Sequence, residues 1–507
     1  MSEFRLLGVD GHDDCRIAVL GLGHVGLPTA LGLADLGWKV VGADQDARKV
    51  SEIAAGRVPF FEPGVDVLLS KHLASGRFTA TSDVLAAVRE ATVIFLCVGT
   101  PQRQNGEADL SQVESIARLI GRNLDGYKLI VEKSTVPAIT AQWIKRTVTL
   151  YANAVANGEN GNGNHAGEPW GWPTRKAIGD FDVASNPEFI QEGKAIEGFF
   201  RPNRIVLGVE SPRARETLET IYRPLQANLL VCDLTTAELI KYASNAFLAM
   251  KISYINLVAE ACDAVGADVN MVARGIGMDK RIGPDFLNAG LGFGGYCFPK
   301  DLRAFIHLLD GKGVDSGLLQ SVENINLRQV EIFLRKLRNA LWVLNGKSIG
   351  ILGLAFKPGT DDVREAASLR IINSLLQEGA SVRLYDPQAI PSVQQALGNA
   401  TEGMMYCSSP YEAAAGTQAL LLVTEWDEFR DLDWSRVREL MEVPIVLDGR
   451  NFFDPETIRA AGFEYIGMGR GGDTWPDMEV GRRQVAASTH VHVPAREENP
   501  SYRGLQP

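Results

Sequence analysis

The first apolar run, Arg16-Ile-Ala-Val-Leu20, has the makeup of a buried strand and leads directly into Gly21-Leu-Gly23-His24-Val25-Gly26. An apolar helix pattern continues to Leu36 and stops at Gly37, and a second strand, Lys39-Val-Val-Gly-Ala43, ends at Asp44. Strand, glycine turn, helix, strand and acid, in that order, predict a dinucleotide-binding unit. The glycines alone would be weak evidence; the flanking elements and an acid 18 residues beyond Gly26 make the pattern specific. The first glycine permits the tight turn, the second lets the backbone approach a pyrophosphate, and the third lets helix and strand pack closely. Asp44 either accepts ribose hydroxyls, which favours NAD over NADP, or is an ordinary strand-end turn acid.

Further strand-like runs, Val93 to Val98 and Leu129 to Glu132, end in the small polar turns Gly99-Thr-Pro101 and Lys133-Ser-Thr-Val-Pro137. Ligands of open parallel sheets sit beyond such strand ends. Thr100, Ser134 and Thr135 are therefore either ligand neighbours or loop caps. A helical pattern from Leu234 to Val265, stopped by Gly266, carries a polar stripe of Glu238, Lys241, Asn245 and Asn256. Lys241 and Asn245 share a face; that face is either solvated or, given its apolar surroundings, functional.

A third unit repeats the opening plan: Ser348-Ile-Gly-Ile-Leu-Gly353, a helix from Ala366 to Gln377, and a strand, Ser381 to Tyr385, ending at Asp386. Strands are also predicted at Ala419 to Thr424 and Pro444 to Asp448. The expected fold is α/β: two Rossmann-like doubly wound domains joined by a long central helix and a small helical middle domain. The expected boundaries are 15–232, 233–335 and 345–470. Residues 151–180, rich in Asn and Gly, read as a flexible insertion in which His165 is solvated, and 471–507 as a disordered tail.

Composition narrows the class. A chain of 507 residues with 45% apolar residues is globular and long enough for several domains. Its net charge of −11 gives it no general attraction for nucleic acid or anionic lipid. The acidic start, MSEFRLLGVDGHDD, lacks the apolar core of a signal peptide, and no apolar run is of membrane-spanning length. Six scattered cysteines without a CxxC pair predict reduced thiols in a cytoplasm and no zinc site or other metal centre.

Gly292-Phe-Gly-Gly-Tyr-Cys297-Phe-Pro-Lys300-Asp301 is the most unusual segment. Glycines before the cysteine allow close approach of a ligand, and a cation three residues on would favour thiolate. Cys97 and Cys262, by contrast, have the apolar settings of packed thiols. An NAD enzyme needs no cysteine to oxidise an alcohol to an aldehyde. To go on to the acid it does: a thiolate adds to the aldehyde, the adduct loses a hydride, and the resulting thioester is hydrolysed. A dinucleotide fold with a poised cysteine therefore points to a four-electron, alcohol-to-acid oxidation.

The chain also resembles the UDP-glucose/GDP-mannose dehydrogenase family from Arg16 to about Phe453. The resemblance rests on Gly21 to Pro28, Glu62-Pro-Gly64, Glu132 to Pro137, Asn186-Pro-Glu-Phe-Ile-Gln-Glu-Gly193 and Lys241 to Phe247. It continues through Lys280-Arg-Ile-Gly283, the Cys297 segment, Phe356 to Glu365 and Asp448-Gly-Arg450. It implies NAD-dependent oxidation of a nucleotide sugar at C6, UDP-glucose giving UDP-glucuronate. The alternatives are a UDP-N-acetylhexosamine, GDP-mannose, or a non-catalytic binder of the same ligands. It makes Cys297 the nucleophile, with Lys241 and Asn245 at the developing oxyanion, Asp301 and Thr135 in proton transfer, Glu188 in thioester hydrolysis and Glu192 beside the nicotinamide. Gly21, Gly23, His24, Val25, Gly26, Asp44, Lys49, Thr100, Thr135, Glu192, Lys300 and Arg364 would face NAD. Glu188, Lys241, Asn245, Phe286, Phe293, Gly294, Lys357 and Arg450 would face the substrate, with Arg281 reaching it from the neighbouring subunit of a homodimer. His24, Tyr296, Asn288 and Gly198 depart from the family's usual residues, Tyr296 standing where serine is usual.

Overall fold

The computed structural model describes residues 15–103, 105–156, 179–398 and 403–471. His165, most of the expected insertion and the expected tail beyond Gly471 lie outside the described residues. Residues 151–156 are not part of a loop, since they complete a helix, Thr140–Ala156.

The N-terminal sheet has eight strands: β1 (Arg16–Leu20), β2 (Lys39–Ala43), β3 (Phe78–Thr81), β4 (Val93–Leu96), β5 (Lys128–Glu132), β6 (Phe181–Ser185), β7 (Ile205–Val209) and β8 (Leu229–Cys232). Their order is β3-β2-β1-β4-β5-β6-β7-β8, and β6–β7 is the one antiparallel neighbour pair among them. In register, Leu20 faces Ala43 of β2 on one side and Leu96 of β4 on the other. The turns that follow these three strands therefore emerge side by side, at the point where the winding reverses and ligands of such sheets bind. The helix after β1, Gly26–Asp35, is buried from Gly26 to Ala34 and apolar on every side. Each of Leu27, Leu31 and Leu33 contributes roughly 1.5–3 kcal/mol of burial.

The second sheet contains β9 (Ser348–Leu352), β10 (Ser381–Tyr385), β11 (Met404–Tyr406), β12 (Ala419–Leu422), β13 (Ile445–Asp448) and β14 (Glu464–Gly467). Its order, β11-β10-β9-β12-β13-β14, is the doubly wound order with every pair parallel. The α/β class with two parallel-sheet units is thus as expected. The strands β3, β11 and β14, three or four residues long, are too short to stand out in the chain.

Between the sheets lies the helix Leu234–Val265, whose 32 residues span about 48 Å. Asp233 caps its start by accepting Thr236 N–H at 2.9 Å, and Gly266, at φ 79°, ends it. The helices Val269–Gly277, Cys297–Gly311 and Gly317–Leu341 complete the middle region, the last running past residue 335. Ala246, Ala249, Leu302, Leu319 and Val322 form a small core that holds the Cys297 helix against the long one. Leu239, Phe247, Tyr254 and Leu257 of the long helix remain exposed.

Candidate active site

The glycine turn after β1 divides into positions shaped by the chain and one left open. A Cβ on Gly21, at φ 94°, would lie 2.6 Å from the Cys97 carbonyl oxygen, and one on Gly26 would lie 1.7 Å from that of Gly21. Around Gly23 nothing approaches within 4 Å. Crowding thus demands the outer two glycines, and the middle one faces free space, as a pyrophosphate requires. Val25 precedes the first residue of the helix. His24 stacks on Phe60 at 4.2 Å, and its Nδ1 is buried without a protein partner. Burial and then Arg364 push its pKa down to about 4, so the ring is neutral.

Asp44 accepts Leu22 N–H at 2.8 Å, Asp46 N–H at 3.0 Å and the Lys49 ammonium at 2.9 Å. A carboxylate offers about four lone-pair sites, so one stays open for a ribose hydroxyl. Its counterpart in the second sheet, Asp386, takes the N–H groups of Leu354, Ala355, Gln388 and Ala389 and Nε1 of Trp426. Five donors saturate it. The two units share a plan, but only the first keeps a carboxylate with spare capacity.

At the carboxyl end of β4 and β5, Ser134 donates to the carbonyls of Leu96 and Val98, so capping accounts for it. Thr100 donates to the Thr135 carbonyl at 2.9 Å and lies 3.5 Å from the Lys300 ammonium. The Thr135 side chain is half-buried beside them.

Cys297 opens the helix Cys297–Gly311, and its sulfur feels the charges of Glu188, Asp301 and Lys241, which belong to two polar pairs, each with one member on the long helix. Lys241 Nζ is 3.0 Å from Glu188 Oε1, and Asn245 donates to Asp301 Oδ2 at 2.6 Å. All four residues are buried. The solvated reading of the helix face is therefore excluded for Lys241 and Asn245. The rest of the stripe is structural: Glu238 accepts the N–H groups of Ile139 and Ala141, and Asn256 accepts that of Gly290.

One expectation is reversed. Burial, followed by Glu188 and Asp301, pushes the Cys297 thiol up to about 12 against the opposing influence of Lys241. Lys300, expected to favour thiolate, is held by Asp301 at 2.7 Å. The cation that acts on the sulfur is Lys241. Burial disfavours the Lys241 charge, but Glu188, Cys297 and Asp301 outweigh it and hold its pKa above the ordinary lysine value.

The glycines before Cys297 also serve a different purpose from the one expected. A Cβ on Gly294 would meet the Glu365 carbonyl at 2.5 Å, and one on Gly295 the Phe356 ring at 2.7 Å. They admit the turn from Phe356 to Glu365 of the second sheet, tied by Gly295 N–H to the Arg364 carbonyl at 2.9 Å. Arg450 spans the same junction, donating to the carbonyls of Val423, Gly292 and Phe356. Gly193 and Gly359 meet backbone to backbone, and Glu62 accepts the N–H groups of Gly193 and Ala195.

Glu192, next to that contact, lies 3.6 Å from Arg364 and has a buried Oε2 without a protein partner. Burial and Asp362 push its pKa up to about 7, against Arg364 and Lys357. Lys357 is half-buried over the Phe356 ring at 5.3 Å; burial lowers its pKa while Glu192, Cys297 and Glu62 oppose this. Phe286 and Phe293 pack on Phe298, the residue after the cysteine, at 6.3 and 5.9 Å. Arg281 is exposed and forks onto Asp279, so within one subunit it is not among the grouped residues.

Lys133 and Asn186 carry no individual role in the sequence pattern, in which they stand inside longer motifs. The Lys133 ammonium is buried and donates to Asn186 Oδ1 at 3.1 Å, two residues before Glu188. The signal was available: a Glu-Lys pair closing an otherwise apolar strand.

An open glycine turn beside an unsaturated acid, with unpaired polar atoms of His24 and Glu192 at the cleft, fits a dinucleotide and belongs to nicotinamide-dependent oxidoreductases. Residues 15–226 match the NAD binding domain of the UDP-glucose/GDP-mannose dehydrogenase family, 235–328 its central domain and 350–455 its UDP binding domain. The chain belongs to this family, and its cofactor is NAD. It is 41% identical to UDP-glucose 6-dehydrogenase TuaD of Bacillus subtilis, over 90% of this chain and 93% of that one. It is also 41% identical to a UDP-glucose 6-dehydrogenase of Rhizobium meliloti, over 90% and 99% respectively. A UDP-glucose dehydrogenase structure from Pyrobaculum islandicum superposes with a TM-score of 0.80 at 36% identity, covering 91% of this chain and 99% of that one. Among the described residues no helix is long and apolar enough to cross a membrane, and the six cysteines are free.

Proposed function

We propose that the protein oxidises C6 of UDP-glucose to the carboxylate of UDP-glucuronate, with Cys297 holding the sugar between the two oxidations. The observation that carries this reading is the placement of Cys297 at a helix start, facing Lys241–Glu188 and Asn245–Asp301. The names of the curated relatives support the choice of sugar.

Gly21 to Gly26, with Asp44 toward a ribose and Arg364 and Lys49 as nearby cations, would hold NAD, which would supply the hydride acceptor for each oxidation, one molecule per step. The chain does the rest. Lys357 and Arg450 hold the nucleotide sugar, with Phe286 and Phe293 against it. The C6 hydroxyl gives up its proton to the Thr135–Asp301 end of the site as the aldehyde forms. The sulfur then bonds to the carbonyl carbon, its proton passing to one of the surrounding carboxylates. Lys241 and Asn245 donate to the oxygen that gains charge, as a preorganised cation and amide do. After the second oxidation the carbon is a thioester. Glu188 draws a proton from a water that attacks it, the carbon–sulfur bond breaks, and Cys297 is regenerated with the acid released.

The exposed stripe of Leu239, Phe247, Tyr254 and Leu257 is read as the seat of a second copy, which would bring Arg281 to its neighbour's substrate. Sedimentation of a dimer, reduced to monomer by Phe247→Asp, checks this. For the reaction, limiting UDP-glucose should yield two NADH and one uronate. One NADH per sugar would mean a simple two-electron dehydrogenase, and a faster rate with UDP-N-acetylglucosamine, UDP-galactose or GDP-mannose would reassign the sugar.

A further inference from the structure

Tyr296 lies at the junction of the three parts of the site: it directly precedes the thiol, borders the long helix's partner, and faces the turn of the second sheet. The Arg364 guanidinium carbon lies 4.4 Å from its ring centroid, and the Lys300 ammonium 5.5 Å. Lys300 is already paired with Asp301, which leaves Arg364 as the cation whose position the ring controls.

Arg364 is restrained in two directions. Nε and Nη2 fork onto Asp362 at 2.7 to 3.0 Å, which fixes the guanidinium edge. A fork of this kind leaves the plane free to tilt about the line joining the two groups, and the side chain is 45% exposed. An aromatic face against the guanidinium removes that tilt. Nη1, outside the fork, is then the donor left to meet an incoming phosphate oxygen. The backbone that leads into Tyr296 is anchored, because Gly295 N–H binds the Arg364 carbonyl at 2.9 Å and Phe356 closes the space beside Gly295.

We infer that Tyr296 is a positioning residue for NAD: its ring face sets the plane of Arg364 so that Nη1 receives the cofactor pyrophosphate. This deepens the proposed function and rests on its assignment of Arg364. The ring matters here, not the hydroxyl: burial pushes the phenol up to about 12, so it stays neutral at working pH.

The test is NAD binding by calorimetry, beside steady-state kinetics, for Tyr296→Phe, Tyr296→Leu, Arg364→Ala and the Leu/Ala double variant. Phe should keep most of the NAD affinity. Leu should weaken it about five- to tenfold, seen as a higher KM for NAD with a smaller change in kcat. The double variant should bind no more weakly than Arg364→Ala alone. Equal losses for Phe and Leu, or full additivity with Arg364→Ala, would overturn the inference. Tyr296→Met, also unbranched at Cβ and without a π face, replaces Leu should that variant fail to fold. Binding data of the expected pattern in an enzyme that releases no NADH from any nucleotide sugar would refute the proposed reaction and leave this role standing.

Discussion

Lys241 and Glu188 form a closed ion pair, 3.0 Å apart with side chains only 5% and 4% exposed, and both charges act on the thiol of Cys297. Removing either partner strands a buried charge. Lys241→Ala should cost about 3–5 kcal/mol of stability, and Lys241→Met, which also deletes the cation but fills the space, somewhat less. Thermal unfolding of the two variants checks the order.

Glu188→Gln separates the pair's structural and chemical sides. It removes the carboxylate that most strongly opposes ionisation of the thiol, so Cys297 should alkylate faster at pH 8 than in the parent. Turnover should nevertheless fall by about a hundredfold, because the proposed base for hydrolysis is gone. Intact-mass measurement during turnover should then show a covalent sugar adduct absent from Cys297→Ser.

The thiol's pKa near 12 makes a prediction about pH. Only thiolate reacts, so alkylation of Cys297 by iodoacetamide, followed by peptide mapping, should be slow at pH 7. It should climb about tenfold per unit with no plateau below pH 10. A plateau near 8 would mean that the lysine dominates the sulfur, contrary to the burial described.

Asp44→Asn can keep the acceptor for Leu22 N–H but removes the charge proposed to meet the ribose. The KM for NAD should rise by about tenfold or more, the worth of a hydrogen bond to a charged group. NADP should become relatively more competitive, because the 2′-phosphate is no longer repelled. Comparing kcat/KM for the two cofactors decides it.

Gly193→Ala forces a side chain at φ 79° and places its Cβ 2.9 Å from the Gly359 carbonyl oxygen. Backbone strain and the clash together should cost about 2–3 kcal/mol and disturb the neighbouring Glu192. A lower melting temperature with a marked loss of kcat is expected, whereas Gly275→Ala, with open space around it, should leave the melting temperature nearly unaltered.

The glycine turns, the long helix and the thiol loop were legible in the chain because each depends on local rules: turn geometry, periodicity and residue chemistry. Lys241 and Asn245 could be placed on one face, but whether that face met water depended on the Cys297 helix, 52 residues beyond Asn245 in sequence. The same limit explains the thiol. Its resistance to ionisation follows from burial first and then from Glu188, which arrives from a distant part of the chain, and Asp301, which also holds the neighbouring Lys300. Gly294 and Gly295 read as room for a ligand because sequence shows that space is needed and cannot show what fills it.

Asp386 shows where such a reading over-counts. Two stretches of this chain spell the same strand-turn-strand-acid phrase, and a tally of phrases would assign two dinucleotides. Four backbone N–H groups already take the second acid's acceptor sites, and Trp426, contributed from 40 residues downstream, adds a fifth donor, so this carboxylate has no capacity left for a further hydroxyl. Replacing that tryptophan alone would leave the acid filled by the chain's own backbone, so a second dinucleotide seat in this fold would require the turn itself to be rebuilt.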